Sequence, residues 1–274
     1  MKIFFPMLAS LLLFAWTKPS PDRSFTGSTP AGREVKTFLG IPLNDSVDFI
    51  RWKMVIHADN NYDLSVNYGI GKPNTPGFYD GGKKMDFSGT YKKEDHIYAF
   101  RHGFYTLNMV ELNADLLHFS GSDKKLLIGT GGFSYALNNV KPAVSDQVNI
   151  VAFPTTMRDS IAYVGRTPCG VEGVNKSSQC YKLKWSLVLY ADAKKNQPLT
   201  YKVRGTGIPD NAGQRGSWQI MTGREGRIIY QLNDGKGNGL FYLLKLDEGV
   251  LIFTNKEGRL LVGDEDFSYT LNRK

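Results

Sequence analysis

Four histidines and two cysteines offer the most chemistry in this 274-residue chain. His57, His96, His102 and His118 all fall in its first half, which invites a metal site. Spacing argues against one. His96 and His102 are six apart on an expected strand, roughly 20 Å at strand rise, too far to share an ion without a bend. Surface or rim histidines are the expectation, with neither metal nor cofactor. Cys169 and Cys180 lack a third thiol or a nearby histidine, whereas zinc sites normally need four ligands. In an exported chain such a pair tends to close as a disulfide, worth about 3 kcal/mol on the loop-closure argument.

No catalytic residue is expected. A serine hydrolase needs its nucleophile on a distinctive turn such as Gly-x-Ser-x-Gly, which is absent, and Phe119-Ser120-Gly121-Ser122 reads as a plain turn. Glu94-Asp95 and Asp264-Glu265-Asp266 lie in polar turn stretches, where carboxylates stay ionised and make poor general acids. Gly129-Thr130-Gly131-Gly132 and Gly235-Lys236-Gly237-Asn238-Gly239 have no following helix to aim amides at a phosphate, so they read as hairpin turns.

The formal net charge is +8. Lys83-Lys84, Lys92-Lys93, Lys124-Lys125 and Lys194-Lys195 are pairs at expected turns and not a cluster, so no nucleic-acid partner is predicted. Arg166, Lys182 and Lys184 flank the cysteine loop and are the candidate contact surface for a partner, with a solvated face as the competing reading.

These residues must be positioned by whatever follows the N-terminus, where an early lysine, Lys2, precedes about 14 apolar residues and then a Pro/Ser segment. That is the pattern of a signal peptide over residues 1–17, shorter than the roughly 20 residues of a spanning helix. A retained signal anchor is the alternative. No cysteine precedes Cys169, so no lipid anchor built on a cysteine is expected, and a periplasmic or secreted protein without a membrane span is predicted.

The rest is written twice. Leu126-Leu127-Ile128-Gly129-Thr130-Gly131-Gly132-Phe133-Ser134-Tyr135-Ala136-Leu137-Asn138 recurs 134 residues later as Leu260-Leu261-Val262-Gly263-Asp264-Glu265-Asp266-Phe267-Ser268-Tyr269-Thr270-Leu271-Asn272, with eight of thirteen positions identical. Upstream, the stretch from Arg51 to Asp59 answers to that from Lys184 to Asp192, and Thr37-Phe38-Leu39-Gly40 is matched to Ala162-Tyr163-Val164-Gly165. Two units are predicted, at 33–140 and 158–274, joined by a linker around Lys141-Pro142-Ala143.

Within a unit the hydrophobic period is 2, as in Trp52, Met54 and Ile56 against Arg51, Lys53 and His57. Turn signals separate segments of 5 to 8 residues, and no helical periodicity is read after residue 17. The expectation is all-β: two tandem antiparallel β-barrel domains, six to eight strands each. Trp52, Trp185, Trp218, Phe133, Phe267, Tyr135 and Tyr269 are assigned to the core, or else to a ligand cavity.

The order of parts resembles the N-terminal barrel domain of the NlpE family, bacterial envelope lipoproteins associated with copper homeostasis and surface sensing. The motifs are an opening in which Pro follows Gly by two or three positions (Gly40-Ile41-Pro42; Gly165-Arg166-Thr167-Pro168), a turn at Leu246-Asp247-Glu248-Gly249, and the closing Phe-Ser-Tyr-x-Leu-Asn strand. That family carries a Cys-x-x-Cys after the proline. The first unit has Leu43 and Ser46 there, and the second has Cys169 followed by Glu172, so copper binding is not implied. The resemblance implies a non-catalytic exported envelope protein, a binding or sensing module whose partner is an envelope protein. A lipocalin-like carrier of a small apolar ligand and a hydrolase with an unrecognised site are the alternatives.

Overall fold

The computed structural model describes residues 21–143, 145, 147–149, 157–172, 174, 180–206, 208 and 213–274. The expected signal peptide, residues 1–17, and part of the cysteine loop lie outside them. The first barrel comprises β1 (Arg23–Thr29), β2 (Phe49–Ile56), β3 (Asn61–Gly69), β4 (Lys83–Glu94), β5 (Ile97–His102), β6 (Tyr105–Asn113), β7 (Leu116–Ser120) and β8 (Ala136–Asn139). The second comprises β9 (Ser160–Thr167), β10 (Leu183–Asp192), β11 (Gln197–Gly205), β12 (Gln214–Thr222), β13 (Ile228–Asn233), β14 (Gly239–Lys245), β15 (Val250–Thr254) and β16 (Thr270–Arg273). Each is a closed, up-and-down antiparallel barrel of eight strands in sequence order, so the all-β tandem-barrel expectation holds.

Alternation along the strands drives closure, because inward residues meet in a common interior while polar residues face out. β3, Asn-Tyr-Asp-Leu-Ser-Val-Asn-Tyr-Gly, buries Tyr62, Leu64, Val66 and Tyr68 and exposes Asn61, Asp63 and Ser65. Both interiors use the same devices. The indole of Trp52 donates to Thr29 Oγ1 at 2.8 Å, and that of Trp185 to Thr167 Oγ1 at 2.9 Å. Tyr62 and Tyr201 donate across their barrels to the carbonyls of Arg101 and Asn233.

These pairs correct the sequence alignment at its start. β9 answers to β1, so Thr29-Pro30-Ala31-Gly32 corresponds to Thr167-Pro168-Cys169-Gly170, and Gly40-Ile41-Pro42 has no counterpart in the second unit. Gly32 and Gly170 confirm the register, since a Cβ on either would meet the hydroxyl of Tyr135 or Tyr269 at 2.1 and 2.6 Å. The first barrel therefore begins ten residues ahead of position 33, and the residues in the place of a Cys-x-x-Cys are Ala31 and Glu34. The thiols are absent in this register too.

A second correction is a helix, α1 (Arg33–Leu39), that closes one mouth of the first barrel. Val35, Phe38 and Leu39 are all buried, Phe38 packing against Phe87 and His102. Gly40 ends it in the left-handed conformation, φ 66°, its N–H returning to the Lys36 and Thr37 carbonyls. Two turns are shorter than the window in which a 3.6 period is distinguishable from a buried strand.

The barrels pack side by side through the same strands of each copy. β7 and β15 are buried along their whole lengths, one face in the barrel and the other between barrels. Asn138 donates to the Asp264 carbonyl and accepts from Gly263 N, both at 2.9 Å. Its repeat partner Asn272 accepts from Gly129 N at 2.7 Å and donates to Ser134 Oγ at 2.6 Å. The two asparagines thus accept from equivalent glycine amides across the junction, as across the two-fold axis of an isologous dimer, and differ in the group each donates to. Phe133 lies parallel to its counterpart Phe267, centroids 6.0 Å apart.

Candidate functional site

Outward alternation on β9 and β10 places Arg166 and Lys184 on the barrel wall, with Thr167, Leu183 and Trp185 turned inward. The register sets Arg166 directly opposite Lys184. Like charges in that relation destabilise a sheet. Lys182 stands just before β10, its ammonium 5.1 Å from the ring centre of Tyr181 and 5.9 Å from that of Phe267. Burial holds its pKa below the usual lysine value, Arg166 and Lys184 press it further down, and Asp266 opposes them in part. The three candidate contact residues thus form one cationic ledge.

The ledge is fixed from beneath. Tyr181 donates to Asp266 Oδ2 at 3.2 Å, while the other carboxylate oxygen of Asp266 accepts from Arg51 of the first barrel. Burial and the neighbouring Asp266 carboxylate raise the Tyr181 pKa, so the phenol stays protonated as a donor. Asp264 orders the turn, its carboxylate accepting from the amides of Asp266 and Phe267. The same Asp264 receives Asn138, so the packing of the barrels and the placement of Asp266 share one loop.

An aromatic stack backs this loop: Phe78 on Phe49 at 4.2 Å, Phe49 on Phe133 at 4.6 Å, then Phe267. The Cys169–Cys180 disulfide, with Cα atoms 6.0 Å apart, ties the chain leaving β9 to the residue before Tyr181. Cross-link, tyrosine and lysine are therefore one positioned unit. Chemically the ledge can hold an anion. Its carboxylate, Asp266, already accepts from two donors.

Sequence reasoning found the three cations and the disulfide but not Arg51, Tyr181 or Asp266. The signal for Asp266 was available, since Asp264-Glu265-Asp266 replaces Thr130-Gly131-Gly132 inside the repeated stretch. The histidines are dispersed. His57 lies between Asp22 and Asp63, 2.9 Å from each, with its pKa raised by the hydrogen bonds to Asp63 and Asp22. His102 packs on Phe38 and Phe87. His118 is buried between the barrels; its Nδ1 is 2.9 Å from the Phe119 carbonyl, and its Nε2 has no partner.

Trp52, Trp185, Trp218, Tyr135, Phe267 and Tyr269 are buried core residues, and Phe133 is half-buried in the stack. A cleft at the opposite end of the second barrel, between Met157, Trp218 and Tyr230, encloses about 10 Å³, room for a single water. Among the described residues, no helix is long and apolar enough to cross a membrane, and no three His, Cys, Asp or Glu side chains converge as a metal site would require. No known protein family, curated protein or solved structure matches this chain.

Proposed function

We propose that this protein is a non-catalytic, exported module of NlpE-like type that binds an anionic partner of the cell envelope through the ledge of Arg166, Lys182 and Lys184. One observation carries the reading. Arg166 and Lys184 stand opposite each other in a cross-strand arrangement that costs stability unless something anionic relieves it, and Lys182 lies beside them over two aromatic rings, next to a disulfide at the junction of two barrels. Residues that break a local folding rule without an internal compensation are where function is to be sought. Carriage of an apolar ligand finds less support, because Trp52, Tyr62 and Phe100 fill the first barrel and Trp185, Tyr201 and Phe253 the second.

The test is retention of the purified chain on immobilised anionic and neutral probes at low salt. Retention on at least one anionic probe, absent from neutral ones and lost in the Lys182→Ala, Lys184→Ser double variant, is the expected result. No retention anywhere, or retention indifferent to the two substitutions, overturns the reading. Mass measurement of the exported protein with and without reductant reports the new N-terminus and the cross-link; a chain still carrying residues 1–17 counts against export by cleavage.

A further inference from the structure

The ledge continues around the second barrel. Lys202 of β11 lies directly opposite Arg215 of β12, a second like-charge pair two strands on from Arg166 and Lys184. Lys202 has a further partner of its own. Arg166, Lys184 and Arg215 make no ion pair among the described residues. Within the four strands themselves the single carboxylate is Asp192, at the far end of β10 and 3.5 Å from Lys195.

The first barrel shows that the fold does not require this. Trp52 and Trp185, Tyr62 and Tyr201, and Gly89 and Gly216 beneath those tyrosines align the two copies strand by strand. At the positions of Arg166 and Lys184 the first barrel has Ser28 opposite Arg51, and at those of Lys202 and Arg215 it has Asp63 opposite Ser88. Same architecture, same register, different electrostatics: the second barrel has four cations along this belt where the first has one cation, Arg51, and one carboxylate, Asp63.

We propose that the belt binds an acidic polysaccharide, a carboxylated or sulfated glycan laid across β9 to β12 from Lys182 to Arg215. This deepens the function proposed above and rests on it. Curvature selects the class of ligand. In a closed eight-stranded barrel three strand steps turn through roughly 135°, so a flat lipid surface meets only one or two of these strands while a flexible chain follows the arc. Neighbouring strands lie about 4.8 Å apart, which presents a cation at every strand or two to a polymer with charges at regular intervals. Single-stranded nucleic acid is bound through rings on which its bases stack. Here the exposed rings, Tyr181 and Tyr190, sit at opposite ends of β10, and the residues between the cations are Val164, Ser186, Val188 and Ser217. A base-free polyanion fits that surface.

Binding of the full chain to dextran sulfate, polygalacturonate, neutral dextran, oligothymidylate and phosphatidylglycerol vesicles tests this. The informative variant is Arg166→Ser with Arg215→Ser, which installs the residues that the first barrel already carries at these positions and so should fold; its melting temperature is checked alongside. Its control is Lys53→Ser with Lys92→Ser, an equal loss of charge on the first barrel. We expect one of the acidic glycans to bind, with affinity falling about 100-fold in the first variant, as for two charge-assisted hydrogen bonds of about tenfold each, and unchanged in the control. Affinity should also fall as salt rises. Stronger binding of oligothymidylate or vesicles, still sensitive to Arg166 and Arg215, overturns the polysaccharide and leaves the binding face standing. Equal losses in both variants, or no binding to any probe, overturns both.

Discussion

One fold closes its two mouths in two ways. After Thr29-Pro30-Ala31-Gly32 the first barrel forms α1, which drops Val35, Phe38 and Leu39 into the opening. After Thr167-Pro168-Cys169-Gly170 the second barrel instead returns through a disulfide and buries Val171 and Val174. The glycine is common to both because a tyrosine hydroxyl, Tyr135 or Tyr269, occupies the space a Cβ would need. What differs is the source of order: apolar burial in one mouth, covalent restraint in the other. The helix leaves its barrel without a ledge, whereas the disulfide holds Tyr181 and Lys182 out against the junction. The copy that relies on a cross-link is the one whose mouth bears the cations.

Removing the helical plug should have the largest effect. Phe38→Ala strips a fully buried ring and is expected to lower stability by about 3–5 kcal/mol in urea denaturation; a loss under 1 kcal/mol means that α1 does not hold the mouth. Replacing both cysteines by serine should cost about 2–3 kcal/mol. It should also weaken anion binding, because Tyr181 and Lys182 lose their tether; intact affinity separates the cross-link from the ledge.

A third change runs the comparison in reverse. His118 sits where the second copy has Ile252, buried with Nε2 unpartnered, and His118→Ile should raise stability by about 1–2 kcal/mol at neutral pH. Burial lowers the folded-state pKa of His118 below the ordinary 6.5. The unfolded chain therefore takes up this proton first, and the wild type loses stability as pH falls below about 6.5, down to the folded value. Melting curves from pH 7.5 to 5 should show that slope flattened in the isoleucine variant; an unchanged slope assigns it to other groups.

The smallest effect is expected at Gly40. A Cβ there meets no atom within 4 Å, so Gly40→Ala tests only the positive φ that ends α1, at about 1 kcal/mol. A neutral outcome means that the helix terminus adapts.

Much of this is legible in residue order alone. The 134-residue repeat, the period-2 segments and the cysteine pair each follow from local chemistry, and they yield two β domains and the cross-link. β1 was missed because Arg-Ser-Phe-Thr-Gly-Ser-Thr holds one large apolar residue, so its pairing with β2 and β8 is decided by partners distant in sequence. α1 was missed because two turns of helix cannot display a period. Leu-Leu-His-Phe-Ser in β7 and Val-Leu-Ile-Phe-Thr in β15 break the alternation seen elsewhere, a sign of burial on both faces that named no neighbour.

That each unit makes short amphipathic strands follows from residue order, which alone sets which side chains share a face. The disulfide pairing follows from it too, since only two cysteines exist. That Asp266 joins Arg51 to Tyr181, across 215 and 85 residues, is a product of the folded arrangement. So is the placing of Arg166 opposite Lys184 and of Lys202 opposite Arg215. Such juxtapositions depend on strand register and on how the two barrels dock, and both arise from the packing of whole interiors rather than from any local stretch of chain.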